Sequence, residues 1–166
     1  AGNLEAISTL HSIENGDKIL DKASQEMLAK YVGWGGLSEV FDESKEGQWE
    51  KARSFLKDTL LESEYEAAKA STLTAFYTPK AIIDSMYQTI SDMGFQSGNI
   101  LEPSMGIGNF IGNLPAEMGH SKFYGVELDS ISGRIAKKLY PESHLQVKGF
   151  EETNFSNNFF DLAIGN

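Results

Sequence analysis

The first 70 residues show the hydrophobic spacing of helices. Apolar side chains recur every three or four positions over residues 21–31 and again over 49–61, which predicts two amphipathic helices. The acid-rich stretch 62–70 predicts a third, shorter helix. Residues 31–37, Tyr-Val-Gly-Trp-Gly-Gly-Leu, contain too much glycine for a helix or a strand and predict an irregular turn.

The pattern changes beyond residue 75, where strand-like and helix-like segments alternate. Four short apolar runs predict strands at residues 99–103, 122–128, 144–148 and 161–164. Helical spacing predicts three helices, at residues 80–93, 109–118 and 130–139. Thr78 is the expected N-cap of the first of these helices, with Pro79 in its first turn. This alternation is typical of an α/β fold with a parallel sheet, so we expect two domains, residues 1–70 and 71–166.

Composition narrows the classes of protein that the chain can represent. The hydrophobic share of 40% supports a folded chain rather than a disordered one. Cysteine is absent, which excludes disulfides, thiolate zinc sites and cysteine nucleophiles. The three histidines are scattered without metal-ligand spacing, so no metal is expected. No apolar run approaches the roughly 20 residues that cross a bilayer, and no signal peptide is recognisable, so we expect a cytoplasmic protein without a membrane partner.

Both halves of the chain are acidic. Acids outnumber bases 24 to 14, a formal charge of 14 − 24 = −10. Nucleic-acid binders normally present a basic face to the phosphates. We therefore expect these residues alone to bind DNA poorly, and any DNA contact to involve other parts of a longer protein.

A candidate ligand site lies between the first predicted strand of the second half and the helix after it. Residues 102–110 read Glu-Pro-Ser-Met-Gly-Ile-Gly-Asn-Phe, and Gly106 and Gly108 allow the backbone to approach a ligand closely. Glu127 ends the next predicted strand, where a carboxylate can accept the ribose hydroxyls of a nucleoside. The alternative is that the glycines only turn the chain and Glu127 is a solvated strand end.

The residues around the glycines favour one nucleoside ligand over another. A dinucleotide fingerprint requires a third glycine at position 111, but the chain has Ile111 there and Gly112 one residue late. The carboxylate of Glu102 would repel a pyrophosphate and attract an amino group. S-adenosylmethionine has no phosphate and carries an α-ammonium group, so Glu102 favours this cofactor.

Four motifs, taken in order, resemble the N6-adenine type of DNA amino-methyltransferases. They are Tyr77-Thr-Pro79, residues 102–110, Gly125-Val-Glu127 and Asp161-Leu-Ala-Ile-Gly-Asn166. More narrowly, the chain resembles the N-terminal part of the methylase–helicase proteins of conjugative and mobile elements, through residues 31–37, 64–68, 71–73 and 139–141. The resemblance implies a Rossmann-like, S-adenosylmethionine-dependent methyltransferase fold with a truncated parallel sheet in a three-layer α/β/α arrangement.

The resemblance also assigns roles to single residues. Glu102 would bind the amino group of S-adenosylmethionine, and Glu127 would bind its ribose. The backbone at Gly106 and Gly108 would lie close to the methionine chain. Phe110 would pack under the loop, although a purely structural role in the core is favoured for it.

The family's aspartate after the third strand is missing here. Phe150 and Glu151 lie near that position. Phe150 would flank the adenine, and Glu151 would bind its N6 group. Tyr77 would either bind the cofactor or pack in the core. The whole expected cofactor site is Tyr77, Thr78, Pro79, Glu102, Ser104, Gly106, Gly108, Asn109, Phe110, Glu127, Leu128, Phe150 and Glu151.

Asn166 would be the catalytic residue, the first of an Asn-Pro-Pro-Tyr/Phe motif. In the resembling enzymes this side chain holds the target amine while an aromatic residue stacks on a flipped base. The chain stops at Asn166 and begins without methionine, so we expect a fragment that is inactive alone, from a parent that methylates adenine N6 in DNA. Two alternatives stay open: a catalytically silent cofactor-binding scaffold beside a DNA helicase, and a glutamine N5-methyltransferase that acts on proteins.

Trp34 is the other residue that the pattern singles out, because it stands among three glycines. It could cap the cofactor pocket or stack on nucleic acid. The favoured interpretation is structural, with the indole filling the seam between the helices and the sheet.

Overall fold

The computed structural model describes all 166 residues and divides into two compact units. Residues Ala1–Tyr77 form the first, which we call the helical unit, and Thr78–Asn166 form the second, the sheet unit. None of the helices has the length and apolar character needed to cross a membrane.

The helical unit contains four α-helices and two short 3₁₀ segments. The α-helices are α1 (Gly2–Glu14), α2 (Lys22–Leu28), α3 (Gln48–Thr59) and α4 (Glu62–Ala70). The 3₁₀ segments are Ser38–Phe41 and Ser71–Leu73. The three helices predicted by hydrophobic spacing are confirmed. The pattern missed α1, because its buried side includes the polar residues Asn3 and Thr9 beside Ile7 and Leu10.

A chain of aromatic rings forms much of the core of the helical unit. Tyr31 and Trp34 meet edge to face with ring centroids 6.3 Å apart, and Trp34 and Phe41 do so at 5.4 Å. Phe41 continues the chain to Tyr65 at 5.4 Å. Trp34 is only 4% exposed, so its ring is a core side chain of this unit and is not presented to nucleic acid.

The sheet unit alternates helices with parallel strands. Its α-helices are α5 (Lys80–Asp92), α6 (Asn109–Gly112) and α7 (Ser130–Leu139). Its strands are β1 (Asn99–Glu102), β2 (Lys122–Glu127), β3 (His144–Val147) and β4 (Leu162–Ala163). All pairs are parallel, in the order β3-β2-β1-β4, with Glu102 opposite Gly125 and Glu127 opposite Val147. The predicted α/β class is confirmed.

Two helix boundaries differ from the prediction, and both differences involve proline. Pro79, with extended backbone angles, is the N-cap of α5, so the prediction of Thr78 as the cap is wrong. The helix predicted over 109–118 ends at Gly112 and resumes only as the 3₁₀ segment Ala116–Met118. Pro115 lacks an amide hydrogen and disfavours helical geometry in the residue before it, which accounts for the break.

Two helices of the sheet unit, α5 and α6, pack on one face of the sheet. Ile83 and Tyr87 of α5 and Phe110 of α6 form a core with Ile100 and Phe123. On the opposite face Tyr124 stacks on His144 at 4.7 Å and meets Phe159 and Phe160 edge to face. Where a third, helical layer was expected, this face therefore carries the irregular segment 155–160.

Candidate functional site

The candidate site lies at the carboxyl ends of the paired strands β1 and β2. Glu102 is the last residue of β1 and Glu127 the last of β2. Residues 103–108, here called the glycine loop, follow β1 and return to β2, where the Met105 amide donates to the Val126 carbonyl at 3.0 Å. Crevices at the carboxyl ends of parallel strands are the usual ligand sites of open α/β sheets.

Glycine is required at two positions of this loop by backbone geometry. Gly106 and Gly108 have φ angles of 56° and 87°, in the left-handed region that side chains disfavour. The Gly108 amide donates to the Met105 carbonyl at 2.8 Å, which closes a tight turn directly before α6. The expectation that these glycines turn the chain sharply is therefore met.

Glu127 fastens the glycine loop to the end of β2. Its Oε2 atom accepts a hydrogen bond from the Gly106 amide at 2.7 Å, and Oε1 accepts one from the Asp129 amide at 2.8 Å. Burial raises the pKa of Glu127, while these backbone hydrogen bonds act in the opposite direction. Glu127 is therefore no freely solvated strand end, and its two oxygens retain lone pairs for further donors.

Glu102 is buried without a complete set of partners. Its residue is 2% exposed, and Oε2 accepts no hydrogen bond from the protein. Burial raises its pKa to about 9, and the nearby charge of Glu127 adds to the increase. The carboxyl group thus keeps its proton at neutral pH, and a cation placed beside it would supply the missing partner.

A cavity of about 330 Å³ opens between the ends of β1 and β4. Gly165 lies against Glu102, because a Cβ atom on Gly165 would stand 3.6 Å from the Glu102 Cγ. The cavity is lined by Pro103, Ser104, Ala163, Ile164, Gly165 and Asn166. The structure thus brings Ser104 and Asn166 to the same cavity, next to the glycine loop.

Two apolar side chains predicted for the site follow adjacent strands and are exposed. Leu128, after β2, is 75% exposed, and Phe150, after β3, is 45% exposed. The Lys148 amide donates to the Glu127 carbonyl at 2.8 Å, which keeps these two strand ends side by side. Glu151 is exposed, and its carboxylate lies against the backbone of Gly149.

The remaining predicted residues are not part of this group. Phe110 is 2% exposed in the core, and its carbonyl accepts a hydrogen bond from the Tyr87 hydroxyl at 2.8 Å. Asn109 is half-buried at the start of α6. Thr78 and Pro79 lead into α5, whereas Tyr77 belongs to the helical unit, where its ring lies beside Gly33.

The sequence assigned no role to Tyr140, which packs against the glycine loop. Its ring lies where a Cβ atom of Gly108 would stand, and its hydroxyl lies where one of Gly112 would stand. Burial raises its pKa, and the charge of Glu102 does so too. The spacing of Gly108 and Gly112, one helical turn apart, is the sequence signal that could have revealed a side chain packed there.

The fold and the site define an open parallel α/β sheet with a cavity at its carboxyl edge. No protein-family profile matches the chain. It is 29% identical over 166 residues to the Defense against restriction protein B of Escherichia phage P1. This alignment covers 99% of this chain and 6% of that protein. It is also 35% identical over 91 residues to the type II methyltransferase M.CvrRI of Paramecium bursaria Chlorella virus XZ-6E, in an alignment that covers 55% of this chain and 23% of that enzyme.

One solved structure also aligns with most of the chain, at a low score. The methyltransferase subunit of a type I restriction-modification system from Streptococcus thermophilus superposes with a TM-score of 0.46 at 15% identity, over 98% of this chain and 43% of that chain. In sequence, the chain is similar to a type II methyltransferase over 91 residues. The chain spans only a small part of the length of both curated relatives.

Proposed function

We propose that the sheet unit binds S-adenosylmethionine and belongs to a methyltransferase that modifies the N6 amino group of adenine in DNA. The observation that carries the proposal is the buried Oε2 atom of Glu102, which has no hydrogen-bond partner at the carboxyl end of β1. A ligand with an ammonium group would donate a hydrogen bond to this atom. Among nucleosides with an ammonium group, the similarity to a type II methyltransferase over 91 residues supports S-adenosylmethionine.

The chain's own residues would divide the work of holding the cofactor. Glu102 binds the ammonium group, and the left-handed backbone of Gly106 and Gly108 lets the methionine chain pass close to the loop. Glu127 accepts the ribose hydroxyls through the lone pairs that the amides of Gly106 and Asp129 leave free.

The adenine would lie at the ends of β2 and β3. Leu128 and Phe150 are exposed there on adjacent strand ends, so an adenine ring can be enclosed between apolar surfaces. Glu151 would bind the adenine N6 group after its carboxylate leaves the backbone of Gly149.

The target amine would enter the cavity that Ser104, Gly165 and Asn166 line. S-adenosylmethionine supplies an electrophilic methyl group when it is bound. Asn166 would accept an N–H of the amine through its side-chain oxygen and so orient the nitrogen lone pair. Orientation of this kind supplies much of the rate in a direct transfer, which needs no nucleophile from the protein.

DNA would be contacted by other parts of a longer protein. The formal charge of −10 gives these residues no evident means of displacing phosphate counterions. We accordingly expect the 166 residues alone to retain DNA weakly and to transfer no methyl group to it.

Calorimetry with S-adenosylhomocysteine and with NAD tests the cofactor. We expect S-adenosylhomocysteine to bind with a Kd of about 10–1,000 μM, because the chain matches only 23% of the related methyltransferase and would supply only part of the pocket. NAD should not compete, since it has no α-ammonium group to pair with Glu102 and its pyrophosphate would disfavour ionisation of that carboxyl group. Competition by NAD at a similar concentration would overturn the cofactor assignment.

A second candidate is a cofactor-binding module without catalysis. The alignment with the phage protein supports it, because 99% of this chain corresponds to only 6% of a protein named for defence against restriction. Here Glu102 and Glu127 keep their binding roles, and Asn166 has none.

Transfer of a labelled methyl group by the intact protein separates the candidates. Label in adenine-containing DNA supports the methyltransferase, and cofactor binding without transfer supports the silent module. Label in a glutamine-containing peptide, but not in DNA, would replace the DNA target by a protein.

A further inference from the structure

Tyr140 packs into a notch formed by two glycines, Gly108 at the N-cap of α6 and Gly112 at its last residue. A Cβ atom on Gly108 would stand 2.6 Å from the Tyr140 Cε2 atom and 2.9 Å from Cδ2, closer than real Cβ atoms approach other groups. A Cβ atom on Gly112 would overlap the Tyr140 hydroxyl. Gly108 therefore leaves room for the tyrosine ring, and Gly112 leaves room for its hydroxyl.

Backbone hydrogen bonds at the end of α7 fix the position of Tyr140. The Tyr140 amide donates to the Ala136 carbonyl at 2.8 Å, and its carbonyl accepts from the Ser143 amide at 3.1 Å. Ile135 and Ala136 of α7 are completely buried. Tyr140 thus projects from a helix that is fixed against the sheet.

We propose that Tyr140 is a positioning residue of the cofactor site, which fixes the Gly108 turn from behind while Glu127 fixes Gly106 from the strand. The proposal rests on the proposed function of the site. With both glycines of the loop anchored, the backbone between them stays in the conformation that a ligand beside Glu102 requires.

Electrostatics place Tyr140 near the same carboxyl group. The pKa of Tyr140 is raised by burial and by the charge of Glu102, so the two groups lie within electrostatic range. The late third glycine of the loop motif also gains an explanation. Gly112 makes room for the hydroxyl of Tyr140, and it need not approach a ligand.

Two single variants and their combination test the proposal in the 166-residue chain. Gly112→Ala forces a methyl group onto the Tyr140 hydroxyl, whereas alanine is otherwise the better helix former. Tyr140→Phe removes the hydroxyl and keeps the ring. Tyr124→Phe is the matched control, because Tyr124 loses a hydroxyl on the opposite face of the sheet.

We expect Gly112→Ala to weaken S-adenosylhomocysteine binding about tenfold, and Tyr140→Phe to leave it within about twofold. The combined variant should recover the affinity of Tyr140→Phe, because the clash is gone. Tyr140→Leu, which lacks the ring, should weaken binding about tenfold without any clash. Circular dichroism at the temperature of the titration verifies that every variant is fully folded.

The outcomes separate this proposal from the proposed function. If the unaltered chain does not bind S-adenosylhomocysteine, the proposed function fails. If it binds, and folded Gly112→Ala and Tyr140→Leu bind equally well, Tyr140 has no positioning role. Loss of affinity in Gly112→Ala that Tyr140→Phe does not recover also overturns the proposal, since the loss then has another origin.

Discussion

The two glycine-rich segments of the molecule look alike in sequence and differ in structure. In the turn at residues 33–36, the amides of Gly35 and Gly36 donate to the carbonyls of Ala75 and Thr72, both at 3.0 Å. The space beside Gly35 is filled by the backbone of Ala75 and the ring of Phe76. This turn is closed by the chain itself.

The glycine loop after β1 is closed on one side only. Tyr140 fills the space behind Gly108, and Glu127 ties Gly106, but the loop borders a buried carboxyl group and a cavity of about 330 Å³. Glycine thus indicates a tight turn in both segments. The partnerless carboxyl group of Glu102 distinguishes the second segment, where we propose a ligand site, from the turn at residues 33–36.

The largest expected effect comes from Glu102→Gln. The substitution keeps the shape of the side chain, but glutamine cannot release a proton and so cannot become the carboxylate that would pair with a bound ammonium group. Loss of one partner of a buried charge pair costs about 2–5 kcal/mol, so we expect S-adenosylhomocysteine to bind at least about 30-fold more weakly, as measured by calorimetry.

Glu117→Gln is the matched control for this comparison. Glu117 is an exposed acid in the 3₁₀ segment Ala116–Met118 of the same unit. It should leave the affinity unchanged. Equal affinities for the Glu102→Gln variant and the unaltered chain would remove the observation on which the proposed function rests.

The same carboxyl group should make stability depend on pH. In the folded, ligand-free chain the pKa of Glu102 is about 9, well above its ordinary value of 4.5. Between these values the folded state holds a proton that the unfolded state releases, so stability falls as pH rises. The limiting slope for one group is about 1.4 kcal/mol per pH unit.

Urea unfolding at pH values from 5.5 to 8.5 measures this slope. Glu102→Gln cannot release the proton, so its free energy of unfolding should fall less steeply than that of the unaltered chain. Other titrating groups are common to both proteins and cancel in the difference. Parallel curves would mean that Glu102 is ionised in the folded chain and already has a partner.

The sequence predicted the sheet unit better than the details of its site. Strands of two to six residues were visible because apolar runs alternate with helical spacing, and the positions of Glu102 and Glu127 followed from the strand ends. The role proposed for Tyr140 was not visible, since the one-turn spacing of Gly108 and Gly112 indicates a packed side chain but does not identify the distant residue that supplies it. The burial of Glu102 was likewise unpredictable, because a carboxylate is usually exposed.

The smallest expected effect comes from Trp34→Phe in the closed turn. Trp34 Nε1 is also buried without a hydrogen-bond partner, so the helical unit contains one feature that resembles Glu102. The two atoms differ physically, because an indole N–H is a neutral donor and the Trp34 ring is enclosed by Tyr31 and Phe41. Phenylalanine removes the unpaired donor and leaves a smaller ring, two effects of opposite sign on stability.

We therefore expect Trp34→Phe to change the free energy of unfolding by no more than about 1 kcal/mol and to leave the affinity for S-adenosylhomocysteine within about twofold. Urea unfolding and calorimetry on the same preparation measure both quantities. Trp34→Leu, which removes the aromatic contacts, should destabilise the chain more and likewise spare the affinity. If Trp34→Phe weakened binding while stability held, the indole N–H would serve a ligand, and an unpartnered polar atom would mark a site in both glycine-rich segments.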